Sequence, residues 1–380
     1  MNIFRLIIFA LPLIIVLNNA PKAFSETSIY KSWDAIHDKL SKSIDLIREK
    51  GDVPDSTWVP WQSDKKSIDK EITEMVDEAL VLLGKTEFSE IKNRINYLER
   101  NIAEFYKKIA TLKTKLLGAP KDVAAWKVWK KDAEDYEKAI IDYKSKIERN
   151  KKEIDRLKSQ LVKEFKKIGV NVNREQVDTL VSSITSDDDI QLISVFNNIK
   201  ILTVKLKDLT VESSENPENA KRYYGMHTIL LRILLRLHER YVLRIKDEYL
   251  PKLDEIISKN IELGKKTKSL MDQASEKHKP VYRANFKAQK VTHKTALLYE
   301  EYLNENRERI MEAHAKLVPE YEAALNTYNT VTTAHDLIAL MKTANNMFDN
   351  LSELQTPKLL VFENKEMKKE FNKITLKMKQ

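Results

Sequence analysis

Phe88, Ile91, Ile95, Leu98, Ile102, Phe105, Ile109, Leu112 and Leu116 follow one another in alternating steps of three and four residues without a break. Such spacing places every one of them on a single narrow stripe of an α-helix, and a stripe of that kind requires a second helix to cover it. The chain supplies one. After Leu117-Gly118-Ala119-Pro120-Lys121-Asp122, the same steps return at Trp126, Trp129, Ala133, Tyr136, Ile140, Tyr143, Ile147, Asn150, Ile154, Leu157 and Leu161, ending near Ile168-Gly169. Gly118 suits a helix end, and Pro120 cannot continue that helix but can open the next. Two seams joined by a short turn near 117–122 predict an antiparallel coiled-coil hairpin. Its arms would be about 45 to 50 residues each and about 70 Å long at the α-helical rise. Upstream, Ile68, Ile72, Met75, Ala79 and Leu82 keep the same steps as far as a phase break at Gly84, so the hairpin is assigned to residues 65–169. Asn150 interrupts the seam. A polar residue there can fix register or partner number, or can be a tolerated half-exposed site.

Six glycines in 380 residues leave little material for hairpin turns or phosphate-cradling loops, and Lys, Glu, Leu, Ile and Ala dominate. The fold class expected is all-α: a long antiparallel coiled-coil hairpin plus an elongated helical bundle over 170–350. Arg174 to Ile184 reads as a short helix. Thr185-Ser186-Asp187-Asp188-Asp189 then reads as a helix cap, because it lacks the spacing and distant glutamate of a calcium loop. A helix follows over Ile190–Val211, with Ile193, Phe196, Ile199 or Lys200, Val204 and Leu206 inward. After a loop at Glu212–Asn219, a helix runs from Pro217 to about Lys277, with Pro251 as a kink or a new first turn. Further helices are expected from Pro280 to about Leu317 and from Pro319 to about Asn350, with a single helix merely kinked at Pro319 as the alternative. Residues 351–380 read as a charged tail.

Within the Pro217 helix, Arg232, Arg236, Arg240 and Arg244 recur every fourth residue and form one slowly winding stripe. Leu230, Ile233, Leu234, Leu237, Tyr241, Leu243 and Ile245 cover most of the remaining face, which suits a central bundle helix packed on two sides. The arginines are then expected to pair with acids on neighbouring helices or to snorkel to the edge.

Residues 1–25 have the form of a secretory signal: Arg5, an apolar run from Leu6 to Leu17, and an Ala23-x-Ser25 cleavage pattern. Residues 26–64 are assigned to an N-terminal helix and a Trp/Pro-rich loop. The expected location is exported, periplasmic or secreted, with an uncleaved inner-membrane anchor as the alternative. The net charge of +9 is concentrated between Asn101 and Val170, where 19 Lys and Arg face 11 Asp and Glu. One basic helical segment on an otherwise near-neutral chain argues against a nucleic-acid partner. Leu117, Lys121, Trp126, Lys127, Trp129 and Lys130 interleave apolar and cationic side chains around the hairpin turn. They make a candidate contact tip for an anionic protein surface or a membrane interface, although the two tryptophans also fit as caps of the hairpin core.

The residues that carry chemistry are scattered. None of the seven histidines stands in an H-E-x-x-H, no glycine pattern fits a phosphate loop or a dinucleotide fingerprint, and there is no cysteine. No cofactor and no metal are expected. The expected role is non-enzymatic: an exported coiled-coil scaffold or docking component of a bacterial envelope or periplasmic complex. Its expected partners are an envelope protein or another copy through the coiled-coil surfaces, with peripheral contact to an anionic membrane. The alternative is a secreted α-helical toxin or pore-forming component.

Overall fold

The computed structural model describes residues 25–56, 63–119, 133–212, 217–333 and 365–379. Within them every regular element is helical: α1 (Ser25–Asp52), α2 (Lys65–Leu83), α3 (Glu87–Leu117), α4 (Ala133–Lys167), α5 (Arg174–Ser182), α6 (Ser186–Glu212), α7 (Pro217–Arg244), a π-helical turn (Ile245–Tyr249), α8 (Leu250–Gln273), α9 (Lys279–Thr333) and α10 (Lys365–Met378). The protein is an all-α helical bundle.

Local chemistry sets the ends. Asp64, Thr86 and Asn173 each cap a helix through a reciprocal pair of bonds with the residue three positions on, which satisfies orphan N–H groups at the start of α2, α3 and α5. Gly169 takes the left-handed conformation (φ 81°) after α4. The Val170 N–H then bonds the Phe165 carbonyl at 2.9 Å and the Gly169 N–H that of Lys166 at 3.1 Å, closing the helix in a Schellman turn.

The α3 and α4 seams meet in antiparallel order. Phe88 stacks on Phe165 near one end, and Phe105 lies against Tyr143 further along. The sequence boundary at residue 65 needs correction, however. The seam residues Ile68, Ile72 and Ala79 of α2 are buried in the bundle core with Ile36, Leu40 and Ile44 of α1, not in the hairpin. Gly84 ends α2 and Thr86 restarts the chain as α3, so among the described residues the pair is formed by the 31 residues of α3 and the 35 of α4, about 50 Å.

Two cores result. The larger joins α1, α2, α6, α7, α9 and α10 around Ile229, Leu230, Ile233, Leu234 and Leu237 of α7. The smaller joins the base of α3–α4 to α5 and to Ile190 and Ile193 of α6. Helix α6 therefore stands between them, apolar on two sides: Leu192, Val195, Ile199, Leu202 and Leu206 face the larger core. Val204, expected inward, is 52% exposed, because the inward stripe advances through 199, 202 and 206. Leu243, expected to help cover α7, is likewise exposed.

The helix through Pro251 stays continuous by changing type. The Leu250 N–H bonds the Ile245 carbonyl five residues back, and Pro251 enters α8 in its first turn. The wider turn accommodates a ring that cannot donate an N–H and that would crowd the carbonyl four residues behind it. Helix α9 runs through Pro319 without ending. The charged C-terminal segment is also corrected: its described part, α10, buries Met367, Phe371, Ile374 and Met378 and stacks Phe371 on Tyr299 of α9.

Sequence periodicity did not reveal a second two-helix arm. Here α8 and the first half of α9 lie antiparallel about a largely polar seam, with Asn260 Nδ2 donating to the Gln289 carbonyl (2.9 Å) and Gln289 Nε2 to Thr267 Oγ1 (2.8 Å).

At the centre of the bundle α7 passes close to two neighbours at Gly225. A Cβ there would stand 3.0 Å from Tyr328 Cε2 and 3.1 Å from Ile44 Cγ1 and Cδ1. Gly225→Ala gains about 1 kcal/mol of helix propensity but overpacks the contact. Gly225→Val adds more volume with less propensity gain and is expected to cost about 3 kcal/mol in urea unfolding. A valine variant as stable as wild type would show that the helices separate freely at this point.

Candidate functional site

The N-terminus of α6 lies at the junction of the two cores, and its three consecutive aspartates point to three different places. The Thr185 carbonyl accepts the Asp189 N–H at 2.8 Å, and Thr185 Oγ1 donates to Asp189 Oδ2 at 2.7 Å. The other oxygen of Asp189 accepts the Tyr241 hydroxyl of α7 at 2.5 Å. Asp188 accepts Arg244 Nη1 at 2.5 Å and the hydroxyl of Tyr249. Asp187 turns outward to α3, 3.7 Å from Lys92 Nζ and 3.3 Å from Asn96 Nδ2. On the far side the Tyr299 hydroxyl of α9 accepts the Ile184 N–H (2.7 Å) and shares a bond with Thr375 of α10 (2.9 Å).

Burial dominates the electrostatics. Asp189 is fully buried, and burial raises its carboxyl to about 7 against the opposing bonds from Tyr241 and Thr185. Burial also raises Asp188, although Tyr249 and Arg244 oppose it, and Tyr241 is raised by burial and then by the Asp189 charge. Lys92 is 2% exposed, and burial lowers its amine to about 8. Its ammonium donates to the Val181 carbonyl at 3.1 Å, in the last turn of α5, where a cation satisfies an orphan acceptor. The arrangement ties α3, α5, α7, α9 and α10 to one helix start. It forms a buried polar lock, with the Asp189 carboxyl and Tyr241 hydroxyl withdrawn from solvent at its centre.

The arginine stripe runs from this lock along α7. Arg236 grips Asp77 of α2 through Nε and Nη2, both at 3.0 Å, and also reaches Glu239 at 3.4 Å. Arg232 meets Glu239 at 3.1 Å, Arg240 meets Asp77 at 3.4 Å, and Arg244 meets Asp188 and Glu248. Burial would raise the Asp77 carboxyl, but the bonds and charges of Arg236 and Arg240 outweigh it and hold the group below its ordinary range. Beside the stripe, His227 and His238 are buried, and burial depresses both to about 4.

The other sequence-derived positions are not brought to this site. Asn150 is half-buried in α4. Leu117 ends α3 with 89% of its surface exposed, and Lys121, Trp126, Lys127, Trp129 and Lys130 lie outside the described residues. Sequence reasoning treated Asp187–Asp189 as a cap only and passed over Lys92. A signal was available: Lys92 follows the seam residue Ile91 and falls on the flank that faces α5. Among the described residues no group of three His, Asp or Glu side chains is placed to hold a metal ion. Comparison with protein families, with curated proteins and with solved structures finds no match to this chain.

Proposed function

We propose that this chain is a non-enzymatic, exported scaffold that presents the α3–α4 pair as a docking arm for a protein partner in an envelope complex. One observation carries the reading. The cluster of Ile109, Ile140 and Ile147, lined by Ile102, Phe105, Leu112, Leu116 and Tyr143, is built from α3 and α4 alone. Among the described residues the outer half of the pair therefore has no third layer, whereas the base is packed against α5 and α6. Tyr97, Tyr106 and Ile141 are large side chains left exposed along the pair, Ile141 by 65%. A two-helix projection with exposed aromatic and aliphatic residues offers a partner anchoring positions at little ordering cost.

The test places a photo-crosslinking residue at Tyr106 or Ile141, and at Val81 of α2 as an exposed bundle control. Crosslinking in the native cell is expected to give one discrete adduct from both arm positions and none from Val81. Adducts of equal yield at all three positions, or none anywhere, would remove the docking-arm reading.

A further inference from the structure

We propose that one flank of the α8–α9 arm is a docking surface for an anionic lipid bilayer. Between residues 255 and 294 the chain carries ten Lys and Arg against four Asp and Glu, and from Lys277 to Tyr299 it has no acidic residue at all. A cationic helix face made only for solubility is normally laced with carboxylates three or four residues away. The α3–α4 pair shows that pattern, with Lys138–Glu134, Lys146–Asp142, Lys151–Glu148 and Arg156–Glu153 ion pairs. The second arm does not. Lys259 and Lys279 are paired, with Glu255 and Glu276. Lys265, Lys268, Arg283, Lys287, Lys290 and Lys294 are exposed and have no ion pair among the described residues.

Register collects these six on one side. Asn260, Gly264, Thr267 and Met271 turn inward on α8, and Tyr282, Phe286, Gln289 and His293 on α9. In an antiparallel pair the residues just C-terminal to corresponding inward positions fall on the same flank of both helices. Lys268 of α8 thereby comes beside Arg283 and Lys290 of α9, with Lys265, Lys287 and Lys294 one step further out. The α9 row alone, Arg283 to Lys294, runs for about 17 Å. Between residues 255 and 294 the acidic residue on this flank is Asp272, near the tip; Asp254, which follows the buried Leu253, stands on it at the base.

The same flank carries Ile261 and Leu297, 41% and 45% exposed. Aliphatic side chains among long cationic ones suit the headgroup boundary, where the chains bury their stems and the charges meet phosphates. A nucleic-acid groove would instead call for exposed aromatic stacking platforms, and the exposed large residues of this flank are aliphatic. Each cation brought to an anionic leaflet strengthens partition by about fivefold.

The test is flotation of the full chain with phosphatidylcholine vesicles, with and without phosphatidylglycerol, at low salt. The wild type is expected to float only with the anionic vesicles. Arg283→Gln/Lys287→Gln/Lys290→Gln/Lys294→Gln is expected to lose roughly a hundredfold or more in partition. Lys138→Gln/Lys146→Gln/Lys151→Gln/Arg156→Gln, which removes the same charge from the other arm, is expected to change partition by less than about threefold. Far-UV circular dichroism confirms that both remain helical. The proposal is overturned by wild type that fails to float, by equal losses in the two variants, or by an unaffected α9 variant. Tighter retention by a DNA duplex than by the anionic vesicles would reassign the flank to nucleic acid.

Discussion

Asp189→Asn is expected to be more stable than wild type above about pH 7 and equal to it near pH 4. The buried carboxyl has its pKa raised from 3.8 to about 7, so the folded state holds a proton that the unfolded chain has already released. Stability linked to this group is fully present below the unfolded value and is lost as pH rises through the folded one. An asparagine side chain stays neutral throughout. Its carbonyl can accept the Tyr241 hydroxyl, and its amide can donate to Thr185 Oγ1 once that hydroxyl turns. The difference in favour of the asparagine variant should grow by about 1.4 kcal/mol per pH unit and level off at roughly 4 kcal/mol. Asp189→Ala orphans the Tyr241 hydroxyl and leaves a void, and is expected to cost about 3 kcal/mol even in acid. Urea unfolding across this pH range separates the cases. A difference between wild type and Asp189→Asn that does not vary with pH would show that the native carboxyl is ionised and held by the helix start.

Acid should destabilise the protein through its buried histidines. His227 and His238 have pKa values lowered from 6.5 to about 4 by burial, with the charge of His314 adding to the effect at His238. A depressed base contributes stability that is complete above the unfolded pKa and is lost as pH falls toward the folded one. The window is therefore pH 6.5 to about 4, and each histidine accounts for roughly 3 kcal/mol across it. Asp189 works in the opposite direction in the same window. In wild type two missing protons are partly offset by one extra proton; in Asp189→Asn nothing from this position offsets them. The acid slope of stability should then be about twice as steep in the asparagine variant. Replacing both histidines with leucine should flatten it in Asp189→Asn and reverse its sign in the wild-type background, where the Asp189 proton is left alone. An unchanged slope in the double leucine variant would place the acid sensitivity elsewhere.

The part of this fold legible in the sequence was the part encoded by repetition. The α3 and α4 seams announce themselves because the two helices cover each other along their length, so every contact position but Asn150 is apolar or aromatic. The same logic misplaced α2. Its stripe of Ile68, Ile72 and Ala79 has hairpin spacing, but periodicity shows only that a face is covered, not which helix covers it. The α8–α9 arm stayed hidden for the converse reason. Its seam mixes Met271, Tyr282 and Phe286 with Asn260, Gly264, Thr267 and Gln289, whose bonding is specific but breaks the hydrophobic period. The polar lock was half visible: Thr185 and its aspartates have the composition of a cap. Tyr241 and Tyr249 reach them from more than fifty residues away, a pairing that no local pattern carries.

The π-helical turn between Arg244 and Leu250 gives one continuous shaft two angular settings. One residue beyond the α-helical count advances everything downstream by about 100° relative to an uninterrupted helix. The apolar side of α7 is thereby aimed at the bundle, and the seam of α8 is dialled separately toward α9. Because Asp188 holds both Arg244 and Tyr249, the residues on either side of that offset are clamped at the same point. Orientation of the basic arm is thus coupled to the start of α6 through rotation of a shaft, with no hinge or loop between them.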